Sequence, residues 1–85
     1  MKNLDDALLE EVKKAIIELN KDHSQISTIK IIEKITGSPY TPNSTGIGLN
    51  GFLSVHQNEL GIEFLNVETI NIEGLHTNTI IWRLR

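Results

Sequence analysis

The 85-residue sequence predicts an α+β fold of three helices followed by a C-terminal β-hairpin, as one domain over residues 1–85. Three observations carry that expectation. Apolar residues recur at helical spacing as far as Leu60. Capping residues and the glycines at 37 and 61 punctuate this region. Beyond Gly61 the apolar period drops to two, which is the period of a half-buried strand.

The first helix is expected over residues 4–20. Leu4, Leu8, Val12, Ala15, Ile16 and Leu19 make one apolar stripe, and Leu9 and Ile17 flank it. The flanking pair either widens the core face or meets a partner subunit, so a homodimer is one expected assembly. Asn3 fits the N-cap, and Asp5 and Asp6 suit the positive end of the helix dipole. A second helix is expected over 28–36. Ser27 is its N-cap, Ile26 and Ile31 occupy the positions of a hydrophobic staple, and Gly37 supplies a left-handed stop. Ile29, Ile32 and Ile35 form its expected buried edge. The many isoleucines leave a strand as the competing local reading, which the caps outweigh. "GSPYTP" is a turn. A third helix starts at Thr41 with Pro42 as its first residue, or a little later at Asn43 or Ser44, and runs to about Leu60. Leu49, Phe52, Leu53, His56 and Leu60 share one face of it.

"IEFLNVETINIE" alternates in two phases that break near Asn66, and "TNTIIWRLR" alternates with Ile80, Trp82 and Leu84 on one side. "EGLHTN" between them is read as the turn. A short extended piece at Gln25–Ile26 offers a third strand, because a lone hairpin is not stable. This order is that of a winged helix-turn-helix domain, with the hairpin as the wing.

The stretch "IGLNGFLSVHQNELGIEF" resembles the third helix and following turn of winged-helix domains in phage and mobile-element proteins, some of them appended to primases and helicases. The resemblance spans residues 26–85 as a pattern and is tightest over "FLSVHQNELGI". It implies a part in replication or transcriptional control. In that family the third helix and the wing commonly carry Arg or Lys that meet DNA, and here none lies between Ile35 and Trp82.

The net charge is −3, with basic residues at Lys2, Lys13, Lys14, Lys21, Lys30, Lys34, Arg83 and Arg85. The span from Ile35 to Trp82 carries Glu59, Glu63, Glu68 and Glu73 without a Lys or Arg. If DNA is the partner, Ser44, Thr45, Asn50, Ser54, Gln57 and Asn58 offer polar groups on the exposed side of the third helix. Lys13, Lys14, Lys30, Lys34, Arg83 and Arg85 are the candidate phosphate anchors, or else an ordinary solvated face. Tyr40, His76 and Trp82 offer stacking surfaces for a single strand, although Trp82 is read first as a core residue. The expected function is therefore DNA association, single- or double-stranded. The alternative is a protein-interaction module, an accessory subunit or inhibitor of a larger replication or host protein.

Other chemistry finds little support. "GIGLNG", residues 46–51, has the spacing of a dinucleotide-binding loop. However, a proline-bearing turn precedes it and a hairpin follows, where that loop needs a strand before it and a crossover after it. Helix packing is the better reading, with Gly48 and Gly51 admitting a close backbone. His23, His56 and His76 lack metal-ligand spacing, and no nucleophile arrangement is present, so no cofactor, metal or enzymatic activity is expected. The charged start "MKNLDDALLEEVKK" and the absence of cysteine lead to an expected cytoplasmic location without a membrane span.

Overall fold

The computed structural model describes residues 4–40 and 47–85. Its elements run α1 Leu4–Asn20, β1 Gln25–Ser27, α2 Thr28–Thr36, α3 Ile47–Val55, α4 Gln57–Leu60, β2 Ile62–Ile72 and β3 Leu75–Leu84. The fold is α+β, and its three strands form one antiparallel sheet in the order β1-β3-β2. Every element sends a side chain into one apolar cluster: Val12, Ala15 and Ile16 from α1, Ile26, Ile31, Leu53, Leu60, Ile62 and Trp82 from the others.

The first two helices have the expected bounds. In α1, Leu8, Leu9 and Leu19 pack at the margin of the cluster. Leu9 thus widens the core face, whereas Ile17 is 65% exposed. The proposed Asn3 cap lies outside the described residues. At α2, Ser27 is extended and its Oγ accepts the Lys30 N–H at 3.1 Å, which satisfies one of the free donors of the first turn. Ile26 and Ile31 are both buried, as a staple requires. Gly37 takes a left-handed φ of 73° and donates its N–H to the Glu33 carbonyl, closing the helix. Ile29 and Ile32 are buried and Ile35 only half so, while Ile31 reaches deeper than all three.

The expected single third helix is corrected. It is broken at His56, whose φ of −106° and ψ of 22° leave the helical region, so α3 and α4 are separate pieces. The reason lies in Gln57. Its Nε2 donates to the Ser54 carbonyl at 3.0 Å, the group that residue 58 would serve in an unbroken helix. Its Oε1 accepts the Phe64 N–H at 2.9 Å and so ties the break to β2. Gly61, at φ 68°, ends α4 as expected. The candidate starts at Thr41, Asn43 and Ser44 lie outside the described residues.

The hairpin turn is tighter than "EGLHTN". β2 and β3 join through Glu73 and Gly74 alone, both at positive φ (53° and 81°), with Leu75 and His76 already in the ladder. A two-residue loop with two positive φ angles is the type I′ connection, whose twist matches that of the strands. The Asn71 Oδ1 accepts the Gly74 N–H at 2.9 Å and braces it. Glutamate is a poor occupant of a left-handed position, which costs a non-glycine residue about 1–2 kcal/mol. Glu73→Asn is therefore expected to raise the thermal midpoint by several degrees, about 4–8 °C per kcal/mol in a domain of this size. A melt followed by circular dichroism checks this, and an unchanged or lower midpoint contradicts it.

The phase break near Asn66 is a register shift. Phe64 pairs with Trp82 and Asn66 with Ile81, which leaves Leu65 as the extra residue of a bulge. The expected third strand is present as β1, in which Ile26 faces Trp82 across the ladder. Trp82 is fully buried, and its Nε1 donates to Thr28 Oγ1 at 2.9 Å. It is a core residue and has no face for a nucleic-acid base. Among the described residues, no helix is long and apolar enough to cross a membrane.

Candidate interaction surface

The described cations stand among carboxylates. Lys14 and Lys34 share a shallow groove between α1 and α2, but Glu11 and Glu18 line the same groove. Lys14 lies 3.9 Å from Glu11, and Lys30 lies 3.6 Å from Glu33. Lys21 bonds Glu18 at 2.6 Å. That hydrogen bond and the charge of Lys21 hold the Glu18 carboxyl below its ordinary range, and Lys34 adds a smaller share against a modest desolvation. Lys13 is exposed one residue along α1 from Lys14. Arg83 sits at the far end of β3, where its Nε donates to Glu63 Oε1 at 2.5 Å and its Nη2 reaches the same oxygen. Arg85 Nη1 donates to Asn58 Oδ1 at 3.3 Å, and its backbone N–H bonds the Gly61 carbonyl. Exposed pairs of this kind are worth only about 0–1 kcal/mol each in stability. Their larger consequence is electrostatic, since a cation facing a carboxylate presents little net field to a phosphate chain.

The polar groups expected to read bases are also distributed differently. Gln57 is spent on Ser54 and Phe64, and Asn58 on Arg85. The expected exposed position of Asn50 is corrected, because its Oδ1 is buried and has no hydrogen-bond partner. Ser54 is exposed. Ser44 and Thr45 lie outside the described residues.

The α3–β2 side presents apolar side chains instead. Val55 is 78% exposed, Phe64 53% and Val67 54%. The Gln57 side chain joins the end of α3 to the Phe64 backbone, so Val55 and Phe64 flank one bridge. Phe64 pairs with Trp82 and Val67 with Ile80, two residues apart on β3, which puts Phe64 and Val67 on the same face of the sheet. Phe64 meets the edge of Trp82 at 6.3 Å between ring centroids and 85°, an arrangement that fixes the exposed ring. Sequence periodicity missed this patch because Phe64 shares its phase with buried Ile62.

Of the glycine motif, Gly51 is exposed. Gly51 lies on α3, and a Cβ built there meets nothing within 4 Å. Close approach of another part of this chain is therefore not what Gly51 serves. Gly46 lies outside the described residues. As for the histidines, the His56 Nδ1–H donates to Glu59 Oε1 at 2.9 Å and its ring packs on Phe52, while Glu63 is taken by Arg83. The His23 Nδ1–H donates to the Leu19 carbonyl. No group of three or more His, Asp or Glu among the described residues is placed to hold a metal ion. No protein-family model, curated protein or solved structure matches the chain.

Proposed function

We propose that this domain is a winged-helix protein-interaction module that binds a larger protein through its α3–β2 face. The observation that carries the reading is the exposed set Val55, Phe64 and Val67, in a span from Ile35 to Trp82 without a single Lys or Arg. The helix order, the strand order β1-β3-β2 and the terminal hairpin support the winged-helix assignment. In a DNA-reading version of that architecture this face carries the cations. Here it carries an ordered aromatic ring and two valines, with the carboxylate of Glu59 nearby in sequence. Apolar patches rimmed by polar residues mark protein contacts, and aromatic side chains dominate their energetics. The complementary partner presents an apolar depression with lysine or arginine at its rim, as a subunit of a larger enzyme does where an accessory protein docks.

A second reading, association with DNA, is supported by the grouping of Lys14 and Lys34 at one groove. The two readings separate in a paired experiment. Fluorescence anisotropy with labelled duplex and single-stranded DNA is expected to show no binding at low salt. Salt-sensitive binding that is lost in Lys30→Glu, Lys34→Glu sinks the protein-interaction reading. In parallel, affinity capture from the native cells is expected to recover one stoichiometric protein with the wild type and none with Phe64→Asp, Val67→Asp. Both positions are exposed, so the doubly substituted domain stays folded by circular dichroism. Gly51→Ala adds an internal control. It is expected to stabilise α3 by about 0.5–1 kcal/mol, and to weaken capture where the partner's backbone lies against the helix.

A further inference from the structure

We propose that one ordered water molecule is bound where α2, α3 and β3 meet, and that Asn50 positions α3 through it. A cavity of about 40 Å³ at this junction is lined by Thr28, Ile29, Ile32, Tyr40, Asn50, Asn78 and Thr79. A cavity needs at least about 10–15 Å³ by this measure to hold a water, and a buried water needs two to four polar partners. The hydrogen-bond inventory around the cavity matches that need. Thr28 and Thr79 are 2% and 3% exposed. Each hydroxyl oxygen already accepts, Thr28 from Trp82 Nε1 at 2.9 Å and Thr79 from the Ile29 N–H at 3.3 Å. Each therefore has a hydroxyl hydrogen left to give. The Asn78 Oδ1 accepts from Thr69 Oγ1 at 2.7 Å, which leaves its amide hydrogens as further donors. Against these donors stands, among the described residues, one buried side-chain acceptor without a partner, Asn50 Oδ1.

A single water resolves the mismatch. It accepts from the threonine hydroxyls and donates to Asn50 Oδ1, so that donors which cannot reach the acceptor directly are joined to it. The bridge links three elements that the apolar cluster holds only without direction: the first residue of α2, the middle of α3 and the base of the hairpin. It sets the tilt of α3 relative to β3, and with it the spacing of Val55 on the helix from Phe64 on the neighbouring strand. The site stands whether the domain's partner is a protein or DNA.

Oxygen-17 magnetic relaxation dispersion of the folded protein tests this, because only water held longer than molecular tumbling contributes and exchanging hydroxyl protons do not interfere. The wild type is expected to show a dispersion amplitude that falls by one water in Asn50→Leu and in Thr79→Val. Asn50→Asp and Thr79→Ser, which retain the acceptor and the hydroxyl, are expected to keep it. No amplitude in the wild type overturns the proposal, as does an amplitude unchanged in both Asn50→Leu and Thr79→Val.

Discussion

Trp82→Ala is expected to remove most of the stability of the folded state. Trp82 is fully buried in β3, at the point where β1, α2 and β2 all reach it: Ile26 and Phe64 oppose it in the ladder, and Thr28 accepts its indole N–H. Removing a buried aromatic side chain costs about 3–5 kcal/mol, cavity included. Domains as a class have about 5–15 kcal/mol in total, and one of this length lies toward the lower end. The indole bond has a separate signature. Thr28→Val keeps the shape but leaves the Nε1–H buried without an acceptor, which costs about 1–3 kcal/mol. Once Trp82→Phe has removed the donor, Thr28→Val has less left to disrupt. The two changes together are then expected to cost less than their sum, by a coupling within the range of about 0.5–3 kcal/mol found for contacting residues. Urea unfolding followed by far-ultraviolet circular dichroism measures all four proteins on one scale. Strict additivity would mean that the indole bond contributes nothing.

The parts of this fold that were legible in the sequence are those whose cause is local. The Ser27 cap, the Ile26–Ile31 staple and the left-handed glycines at 37 and 61 each depend on residues within a few positions, and all four appear where the pattern placed them. The phase break near Asn66 was legible too, and the structure shows it to be the mark of an extra residue in β2. The break at His56 was not legible. It depends on Gln57 reaching a strand seven residues away, and nothing in helical spacing reports that contact. The turn is shorter than its sequence suggests, because Glu73 holds a positive φ that its residue type disfavours.

The candidate surface divides in the same way. The absence of cations between 35 and 82 was plain from the sequence, and three of the pairs (Lys14 with Glu11, Lys21 with Glu18, Lys30 with Glu33) follow the three-residue spacing of a helix face. The pairing of Arg83 with Glu63 needs the strand register, because the two residues are 20 positions apart. The burial of the Asn50 carbonyl was not predictable from α3 alone, because the polar atoms that surround it come from α2 and β3.

Leu53→Ala is expected to have the second large effect, and a more local one. α3 is nine residues long, with Gly51 in its interior and a β-branched residue at its end. Isolated helices shorter than about 12–15 residues are marginal in water, so α3 exists because it docks. Its one fully buried described side chain is Leu53, with Leu49 and Phe52 half-buried beside it. Truncating Leu53 is expected to cost about 2–5 kcal/mol. Leu53→Met, which keeps the volume, is expected to cost less than about 1.5 kcal/mol. The two outcomes are read in urea, with Trp82 as the only tryptophan and hence an intrinsic probe of the core that Leu53 shares. Hydrogen exchange then locates the damage. Amides of α3 are expected to lose protection before those of β3, since the helix has no other deep anchor while the strand is held by two neighbours. Uniform loss of protection across α3 and β3 would instead make the helix and the sheet a single cooperative unit. In that case α3 could not open separately from the sheet, and any partner on the α3–β2 face would meet it preformed.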